Sequence, residues 1–355
     1  MLEKPQPTVS VIIKALNEER RIAVAIESAL ASLGDIDGEV ILADGGSSDR
    51  TVEIARSYPI TIVQLNSVAD KSCGSGAQLG FQYSRGRYLC LMDGDMRLHD
   101  GFLAAAVRFL DDHPAVAGVG GTVIECEIAS LEFEQRSRRN DPDRRPGTVT
   151  RLNGSGVYRR PAIESIGYLT DRNLHGAEEL DLAARLRAQG WTLARIDHPA
   201  VDHHGHTENA YYLLFRRMVT RNACATGEIF RAALGRPYFW FVVGEDNNTL
   251  LCVLVAAWWA TIGLVPFVVG GISAVAAGAG LVVLPFAAMS LRWRSLRYGL
   301  YSVTAWNVYA LSFLPGLIRS RAAPANWIDS SVLQEVAPAI RPHAAHRTAT
   351  GSGVR

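Results

Sequence analysis

Residues 247–291 form the longest uncharged segment of this 355-residue chain, with no Asp, Glu, Lys, Arg or His among them. The segment is about twice as long as one bilayer-spanning helix requires, and Pro266 and the Gly270-Gly271 pair near its middle are typical of a turn. Because soluble domains seldom contain uncharged stretches of this length, the sequence predicts a helical hairpin within a membrane. A buried helical pair in a soluble core is the alternative.

Basic residues on both sides of this segment indicate its orientation, because positive charges favour the cytoplasmic side of a membrane. A second uncharged run, residues 299–318, is just long enough for a third span, although its aromatic residues also fit an interfacial or re-entrant segment. A third span would carry Arg319 and Arg321 to the outside, so we expect two spans and keep three as the alternative. The flanking basic residues are Arg216, Arg217, Arg221, Arg231, Arg236, Arg292, Arg294 and Arg297.

The predicted organisation is a cytoplasmic domain over residues 1–236, a membrane domain over residues 237–320 and a partly disordered tail over residues 321–355. The first residues, with Lys4 and two prolines before a short strand, do not have the pattern of a signal peptide. We therefore expect a multi-pass protein of the inner membrane. The net charge of +1 argues against nucleic acid as a partner, and five scattered cysteines indicate a reducing compartment.

The first domain alternates short apolar or β-branched runs with segments of helical periodicity. This order predicts an α/β fold with parallel strands and right-handed crossovers. Asp44 and Asp93 each follow the end of a strand, so both are expected at the carboxyl edge of one sheet, where open α/β folds bind their ligands. The predicted strands are residues 9–14, 39–43, 60–65 and 87–92, and the predicted helices are residues 18–33, 51–57 and 74–83.

Two carboxylates separated by one residue, Asp93 and Asp95, follow the apolar run 88–92. Hard divalent cations favour such oxygens, and magnesium is usually held by one or two carboxylates together with substrate phosphates. The motif therefore predicts half of a metal site whose other half is a diphosphate. A turn whose Asp side chains cap backbone amides is the alternative.

Further motifs follow in order along residues 9–206. They are Asn17-Glu18-Glu19, Asp44-Gly45-Gly46-Ser47-Ser48-Asp49, Gly74-Ser75-Gly76-Ala77, Asp93-Gly94-Asp95, Gly154-Ser155-Gly156, Glu178-Glu179-Leu180-Asp181-Leu182, Arg185-Leu186 and Gly190-Trp191. In this order they resemble the family 2 inverting glycosyltransferases. The resemblance implies a GT-A fold, a Rossmann-like and mostly parallel sheet flanked by helices, here followed by C-terminal transmembrane helices. It also implies a nucleotide-diphosphate sugar donor, a divalent metal cofactor (Mn or Mg) and inversion at the anomeric carbon.

The resemblance further implies which residues bind the donor. Asp44 would hydrogen-bond the nucleotide base, for which uracil with its imide N–H is suitable. The family commonly has a second Asp at the next position, where this chain has Gly45, so the identity of the base is less defined. Asp93 would approach the ribose and the metal, and Asp95 would bind the metal. The other predicted donor-binding residues are Asn17, Glu18, Gly74, Gly76, Arg216 and Arg217, of which the two arginines also fit an anchor at the lipid headgroups.

The predicted catalytic base lies at the start of the predicted helix 180–189. Family members have a Glu-Asp pair there, and the second position of that pair is Glu179 in this chain. Glu179 is therefore preferred over Glu178 as the base that deprotonates the acceptor hydroxyl. First-turn acids that only stabilise the helix dipole are the alternative.

Two further groups of residues are assigned from the resemblance. In similar enzymes a histidine beyond the base helix contacts the metal or the diphosphate, and among His203, His204 and His206 we favour His204. A surface turn is the alternative for this cluster. The predicted acceptor-side residues are Gly154, Ser155, Gly156 and Asp181.

Taken with the membrane segment, these motifs predict a metal-dependent hexosyltransferase that uses a nucleotide sugar, with UDP as the expected carrier. The expected acceptor is lipid-linked or a growing glycan at the cytoplasmic face of the membrane, and transfer to a polyprenyl phosphate is the alternative. A nucleotidyltransferase would require a Gly-rich basic loop after the first strand, where this chain has an acidic one. An inactive membrane scaffold is the non-enzymatic alternative. The Arg-rich residues 125–150 fit a mobile acceptor flap as well as a solvated loop.

Overall fold

The computed structural model describes residues 6–126, 142–204 and 208–336. These residues form a ten-stranded mixed sheet with helices on its faces, and long apolar helices follow in the chain. The order in the sheet is β10-β3-β2-β1-β4-β8-β6-β9-β5, and β7 pairs with β9. The strands are β1 (Val9–Ala15), β2 (Gly38–Asp44), β3 (Thr61–Leu65), β4 (Tyr88–Asp93), β5 (Met96–Leu98), β6 (Val116–Glu125), β7 (Gly147–Val149), β8 (Gly156–Arg159), β9 (Thr192–His203) and β10 (Ser330–Gln334).

Eight α-helices within the described residues lie before residue 234, and most of them connect strands of the sheet. They are α1 (Ile22–Leu33), α2 (Thr51–Ala55), α3 (Cys73–Tyr83), α4 (Phe102–Asp112), α5 (Arg160–Glu164), α6 (Glu178–Ala188) and α7 (Ala210–Val219), and α8 (Ala225–Ala233) follows directly. The remaining helices are α9 (Phe239–Glu245), α10 (Asn247–Val268), α11 (Gly271–Trp293) and α12 (Leu296–Ile318).

The central strand β1 is buried on both faces. Val11 and Ile13 point into a cluster that also contains Ile26 of α1 and Leu103 of α4, whereas Ile12 points into a second cluster. Alternate residues of a strand face opposite sides of the sheet, so a continuous apolar run is typical of a central parallel strand. The predicted α/β class is confirmed, since β1 pairs in parallel with β2 and β4, and β2 pairs in parallel with β3.

The pairing register brings three strand ends together. Ala15 pairs with Asp44, and Lys14 pairs with Asp93. Because these strands are parallel, the loops that follow them lie at one edge of the sheet. The residues predicted to form the donor site after β1, β2 and β4 therefore meet at this edge.

Residues 321–336 do not begin a tail, as the sequence had predicted. Strand β10 pairs antiparallel with β3, and Ile328 just before it is fully buried. The Gln334 side chain donates to two backbone carbonyls that precede β3, at 2.8 and 2.9 Å. The apolar pattern of β10 is too short to identify a strand, but the exposed edge of β3 supplies the pairing that stabilises it. The predicted boundary at residue 321 is therefore corrected for this segment, and residues 337–355 lie outside the described residues.

Within the described ranges, two helices are long and apolar enough to cross a membrane, judged by length and composition. They are Asn248–Val268 and Gly271–Trp293, with 21 and 23 residues. Both coincide with the predicted hairpin. Each contains one proline, Pro266 and Pro285, inside the helix.

Helix α12 overlaps the predicted third span, but it packs along the sheet-containing domain. The ring of Tyr301 meets that of Tyr211 on α7 edge to face, with centroids 5.5 Å apart. Further along, Phe313 meets Phe230 on α8 in the same way at 5.6 Å. Helix α12 is not among the two candidate spans, so two spans remain the expectation and three the alternative. Of the predicted acceptor flap, residues 127–141 with Arg136, Arg138 and Arg139 lie outside the described ranges.

Candidate active site

Asp44 fixes the turn that follows β2. Its carboxylate is fully buried and accepts hydrogen bonds from the backbone N–H groups of Gly46 and Ser47, each at 2.9 Å. The Ser47 hydroxyl and the Gln64 amide also donate to it, at 2.5 and 2.8 Å. A nucleotide base would have to replace or share one of these bonds, so the contact between Asp44 and a base stays a prediction.

The loop after β1 is tied to the turn after β2. Asn17 has a positive φ of 58°, its Oδ1 accepts from the N–H of Ser48 at 2.8 Å, and its own N–H donates to Ser47 Oγ at 2.8 Å. The N–H of Glu18 donates to Thr51 Oγ1 at 2.8 Å. The predicted donor-binding residues Asn17 and Glu18 thus lie at the sheet edge in a loop whose backbone is already held.

Lys14, the penultimate residue of β1, lies between the predicted donor side and the predicted base, although the sequence interpretation did not single it out. Its ammonium is 2.8 Å from Glu178 Oε1 and 3.1 Å from Asp93 Oδ1. Burial alone would lower the pKa of Lys14, but the two carboxylates outweigh burial and the pKa lies well above its ordinary value. A signal was present in the sequence, since a charged residue in an apolar central strand requires a buried partner.

The two carboxylates at the start of α6 have different environments. Burial would raise the pKa of Glu178, but the Lys14 ammonium lowers it below the ordinary value. Burial and the charge of Glu178 raise the pKa of Glu179 to about 7, even though the N–H of Gly154 donates to its Oε1 at 2.8 Å. Carboxylates whose pKa values are separated in this way are typical of acid–base sites. Glu178 is therefore the ionised partner of Lys14, and Glu179 can exchange a proton near neutral pH.

Asp93 and Asp95 lie on either side of Gly94 at the turn between β4 and β5, and Glu18 packs against this glycine. A methyl group at Gly94 would lie 3.0 Å from Glu18 Cγ. Burial and the charges of Asp95 and Asp93 raise the pKa of Glu18 to about 7. Burial is also the main cause that raises the pKa of Asp93, against the opposing effect of Lys14. Three carboxylates thus share a small region of the sheet edge.

The oxygens of this turn suit a hard divalent cation. Asp95 Oδ1 is buried and has no hydrogen-bond partner among the described residues. Across the same residues, no group of three or more His, Cys, Asp or Glu side chains is already arranged as a complete set of metal ligands. Mg²⁺ usually takes one or two carboxylates and completes its coordination with substrate phosphates and water. Asp95 and Asp93 fit that incomplete set.

The histidine whose side chain approaches Asp95 is His203, and not the predicted His204. His203 Nε2 lies 3.6 Å from Asp95 Oδ2, and its Nδ1 lies 2.6 Å from Glu125 Oε2. His204 reaches the same turn through its backbone N–H, which donates to the Asp95 carbonyl at 3.3 Å. Neighbouring side chains of an extended segment point to opposite faces, and the sequence alone does not show which face meets Asp95. His206 lies outside the described residues.

Gly74 and Gly76, which were predicted to line the donor site, allow close packing at the start of α3. A methyl group at Gly74 would overlap the carbonyl oxygen of Asp171, and the Gly74 N–H donates to the carbonyl of Leu174 at 2.9 Å. A methyl group at Gly76 would lie 3.2 Å from Lys14 Cβ. The two glycines therefore hold α3 against neighbouring backbone and leave space for Lys14.

Two of the predicted acceptor-side residues lie beside Glu179. Gly154 donates its N–H to that carboxylate, and its positive φ of 86° suits a glycine. Ser155 follows directly, and its hydroxyl is buried with no hydrogen-bond partner in the part of the chain that is described.

The other two predicted acceptor-side residues have structural contacts. Gly156 begins β8 and pairs with Leu91 of β4. Asp181 is buried, and its carboxylate accepts from Arg185 Nε at 2.8 Å. Arg185 in turn donates to the carbonyls at residues 168 and 169, at 2.7 and 2.8 Å. Asp181 therefore holds α6 against the preceding loop, and its place on the acceptor side stays a prediction.

The predicted donor-binding arginines lie on α7 next to α12. Arg216 Nη1 is 2.9 Å from Glu208 Oε2, and Arg217 Nη1 donates to the Tyr309 hydroxyl at 3.3 Å. Contact with a donor diphosphate would require both side chains to exchange these partners. Their position beside the apolar helices fits the alternative of an anchor at lipid headgroups.

Several known proteins are similar to this chain in sequence. A sequence profile described as glycosyl transferase family 2 matches residues 10–167. EpsE of Bacillus subtilis, which is provisionally named a glycosyltransferase, is 29% identical over 197 residues, covering 52% of this chain and 68% of EpsE. The glycosyltransferase AglE of Haloferax volcanii is 33% identical over 131 residues, covering 36% of this chain and 40% of AglE. The succinoglycan biosynthesis protein ExoO of Rhizobium meliloti is 30% identical over 128 residues, covering 36% of this chain and 35% of ExoO. This chain thus spans well under half the length of these last two relatives.

Solved structures share the fold at low sequence identity. The mannosyltransferase PcManGT from Pyrobaculum calidifontis aligns over 89% of this chain and 91% of its own, with a TM-score of 0.56 and 19% identity. S. aureus TarS, residues 1–349, aligns over 93% of this chain and 100% of that chain, with a TM-score of 0.51 and 13% identity. This likeness supports the GT-A-like arrangement of the sheet and its helices. The acidic strand ends lie within residues 10–167, which match the glycosyl transferase family 2 profile, so this part of the chain is similar to that family.

Proposed function

We propose that this chain is an inverting glycosyltransferase that moves a sugar from a nucleotide-diphosphate sugar to a lipid-linked or polysaccharide acceptor. UDP is the expected carrier, and the reaction takes place at the cytoplasmic face of the membrane. The observation that carries this proposal is the unequal pair Glu178 and Glu179. Lys14 keeps the first ionised, and the pKa of the second is about 7. Acid–base chemistry at neutral pH requires a group of this kind.

Glu179 acts as the single base that inversion needs. It removes the proton from an acceptor hydroxyl, whose oxygen attacks the anomeric carbon from the face opposite the leaving group. The N–H of Gly154 orients the carboxylate, and the buried Ser155 hydroxyl provides a polar contact for the acceptor. Lys14 pairs with both Asp93 and Glu178, so one side chain connects the donor side with the residue that precedes the base.

The diphosphate of the donor would lie at the turn that holds Asp93 and Asp95. A divalent cation bound there supplies positive charge that stabilises the departing nucleoside diphosphate. Asp95 would hold it through the buried Oδ1, and Asp93 through the oxygen that Lys14 leaves available. PcManGT was solved with GDP-Man and Mn²⁺. That neighbour supports a sugar nucleotide donor and a Mn or Mg cofactor for this chain as well.

The expectation of UDP rests on Asp44. One of its oxygens, Oδ1, accepts from the Ser47 hydroxyl, which can rotate and release the oxygen to a base imide N–H. The other oxygen stays bonded to the turn. A carboxylate at this place accepts from uracil N3–H without rearrangement of the backbone.

The proposed acceptor follows from α10 and α11 and from the relatives. A lipid-linked acceptor is delivered in the plane of the membrane, next to an enzyme that these two helices anchor. ExoO is named for succinoglycan biosynthesis, which supports a growing polysaccharide. The second candidate is transfer to a polyprenyl phosphate, because a relative from Trichomonas vaginalis, 29% identical over 105 residues, is named a dolichyl-phosphate beta-glucosyltransferase. That acceptor oxygen is already anionic and needs no strong base.

The test uses the full-length chain in lipid nanodiscs with a panel of UDP-, GDP- and dTDP-sugars. Nucleotide release is measured with a lipid-linked glycan, with a polyprenyl phosphate and with neither. We expect release with a UDP-sugar and a lipid-linked glycan, and Glu179→Gln should lower it by about a hundredfold or more. Full activity of Glu179→Gln toward the polyprenyl phosphate would favour the second candidate. If no donor releases nucleotide under any condition, the scaffold alternative is correct.

A further inference from the structure

The loop that leads into α6 is held by the segment that follows α12. We call residues 319–327 the strap and residues 171–177 the base loop. Asn173 in the base loop exchanges two hydrogen bonds with the backbone of Ala322 in the strap, each at 2.9 Å. Arg172 Nη1 donates to two strap carbonyls, at 3.3 and 3.1 Å. The strap therefore contacts the base loop through both side chains and backbone.

The centre of this contact is a buried carboxylate on α8. Glu228 is 2% exposed, its Oε2 accepts from the backbone N–H of His175 at 2.9 Å, and its Oε1 lies 2.9 Å from His175 Nδ1. Arg319 Nη1, at the start of the strap, lies 3.0 Å from the same Oε1. Burial would raise the pKa of Glu228, but the hydrogen bonds from His175 lower it below the ordinary value. One ionised carboxylate thus fixes His175 at its backbone and its side chain, and shares this role with Arg319.

A second ion pair joins the same two segments. Arg321 pairs with Asp171, which is 1% exposed, and also donates to the carbonyl of Glu228 at 3.2 Å. The strap arginines therefore meet both ends of the base loop. Removal of one partner of such a buried pair leaves an uncompensated charge. The loss of either partner therefore strongly destabilises the contact between the strap and the base loop.

The conformation of Ala177 explains why the base loop requires this support. Ala177 has a φ of 61°, in the left-handed region that residues with a Cβ rarely adopt. Backbone in such a region persists where the surrounding contacts determine it. Ala177 directly precedes Glu178 and Glu179, so any relaxation of the base loop would move both carboxylates.

We propose that Glu228 and Arg319 are positioning residues for the catalytic base, which hold His175 and thereby the start of α6 so that Glu179 faces the acceptor. This inference rests on the proposed role of Glu179. Arg319 is the first residue after α12. The position of Glu179 therefore depends on a segment that is synthesised after the membrane helices. A displacement of α12 is transmitted to His175 through one guanidinium.

The experiment compares Arg319→Gln and Glu228→Gln with the matched control Gln334→Ala in the full-length enzyme. Gln334 makes two hydrogen bonds from the same C-terminal segment, but it bonds to backbone near β3 and not to the base loop. We expect kcat to fall about tenfold or more in the two test variants while the donor KM stays unchanged, because misplacement of a catalytic group acts on the chemical step. Arg319→Lys, which retains a cation near Glu228, should recover most of the lost rate. Gln334→Ala should retain the wild-type kcat.

Hydrogen–deuterium exchange of the amides at residues 175–181 gives a second readout that does not depend on turnover. Arg319→Gln should accelerate their exchange, and Gln334→Ala should not. Unchanged exchange in Arg319→Gln would overturn the proposal, and so would faster exchange with an unchanged kcat. If Arg319→Gln accelerates exchange but the wild-type enzyme never releases nucleotide, the proposed function fails while the contact between strap and base loop stands.

Discussion

The ammonium of Lys14 lies 2.8 Å from Oε1 of Glu178, the first residue of α6. This ion pair determines the different protonation behaviour of the Glu178 and Glu179 carboxylates. Glu178 remains charged beside its partner, and its charge in turn disfavours ionisation of Glu179. The difference in pKa between Glu178 and Glu179 therefore arises from the Lys14 ammonium and from burial.

The pH dependence of the reaction should report the proton on Glu179. We expect kcat to rise with pH through about 7, because Glu179 accepts a proton only when it is deprotonated and its pKa is raised to about 7. The charge of Glu178 raises this pKa, so Glu178→Gln should move the rising limb to lower pH. The measurement is the pH–rate profile of both enzymes. Asp112→Asn removes an exposed carboxylate on α4 and should leave the limb in place. An unmoved limb in Glu178→Gln would contradict this assignment.

Removal of the metal and substitution of Asp95 should both lower the rate of sugar transfer. We expect EDTA to abolish transfer and Mn²⁺ to restore it. Asp95→Asn should weaken Mn²⁺ binding in the presence of UDP by about tenfold or more, because a neutral amide replaces a charged ligand. Electron paramagnetic resonance of free Mn²⁺ measures the affinity directly. Equal affinity in Asp95→Asn and the wild type would place the cation elsewhere.

Asp44 should matter for donor binding through the turn it holds. Asp44→Asn replaces an acceptor of backbone N–H groups with an amide, so some of those donors lose their partner at a cost of about 1–3 kcal/mol each. We expect the affinity for UDP, measured by calorimetry, to fall about tenfold or more. Asp112→Asn changes an exposed carboxylate on α4 and serves as the control. An affinity for UDP that does not change in Asp44→Asn would show that the turn does not contact the nucleotide.

The packing of α12 on α8 should be sensitive to one added methyl group. Gly316 lies on α12 where a Cβ would overlap the carbonyl oxygen of Cys224. We expect Gly316→Ala to destabilise the protein by about 1–3 kcal/mol, since overpacking forces backbone shifts. Gly263 on α10 has no neighbouring atom within 4 Å of such a methyl group among the described residues, so Gly263→Ala should show no loss. Thermal unfolding in detergent compares the two, and equal midpoints would argue against close contact of α8 and α12.

Local patterns in the sequence predicted the parallel strands and the place of Asp44 and Asp93. A buried run followed by turn residues is a short-range signal, and parallel order brings such ends to one edge. The hairpin was equally predictable, because the uncharged stretch is continuous. These features can be predicted without knowing which distant residues pack against them.

Features that depend on distant partners were not predictable in this way. Lys14 and Glu178 are separated by 164 residues, and His175 and Arg319 by 144 residues. No periodicity in either segment indicates which residues meet. The choice between His203 and His204 was open in the sequence for a related reason, because it depends on the register of β9 against β5. Gly74 and Gly76 of α3 were predicted to bind the donor. A glycine that is needed for close backbone packing cannot be distinguished by sequence from one that approaches a phosphate.

Strand β10 pairs with β3 although three long helices separate it from the rest of the sheet in the chain. The sheet-containing domain is therefore discontinuous in sequence, and the apolar hairpin is an insertion within it. During synthesis, β3 keeps an unpaired edge until the hairpin has left the ribosome, and unpaired edges favour association with other chains. A soluble version of the domain should accordingly omit the hairpin alone and retain the residues on both sides of it, joined by a flexible linker.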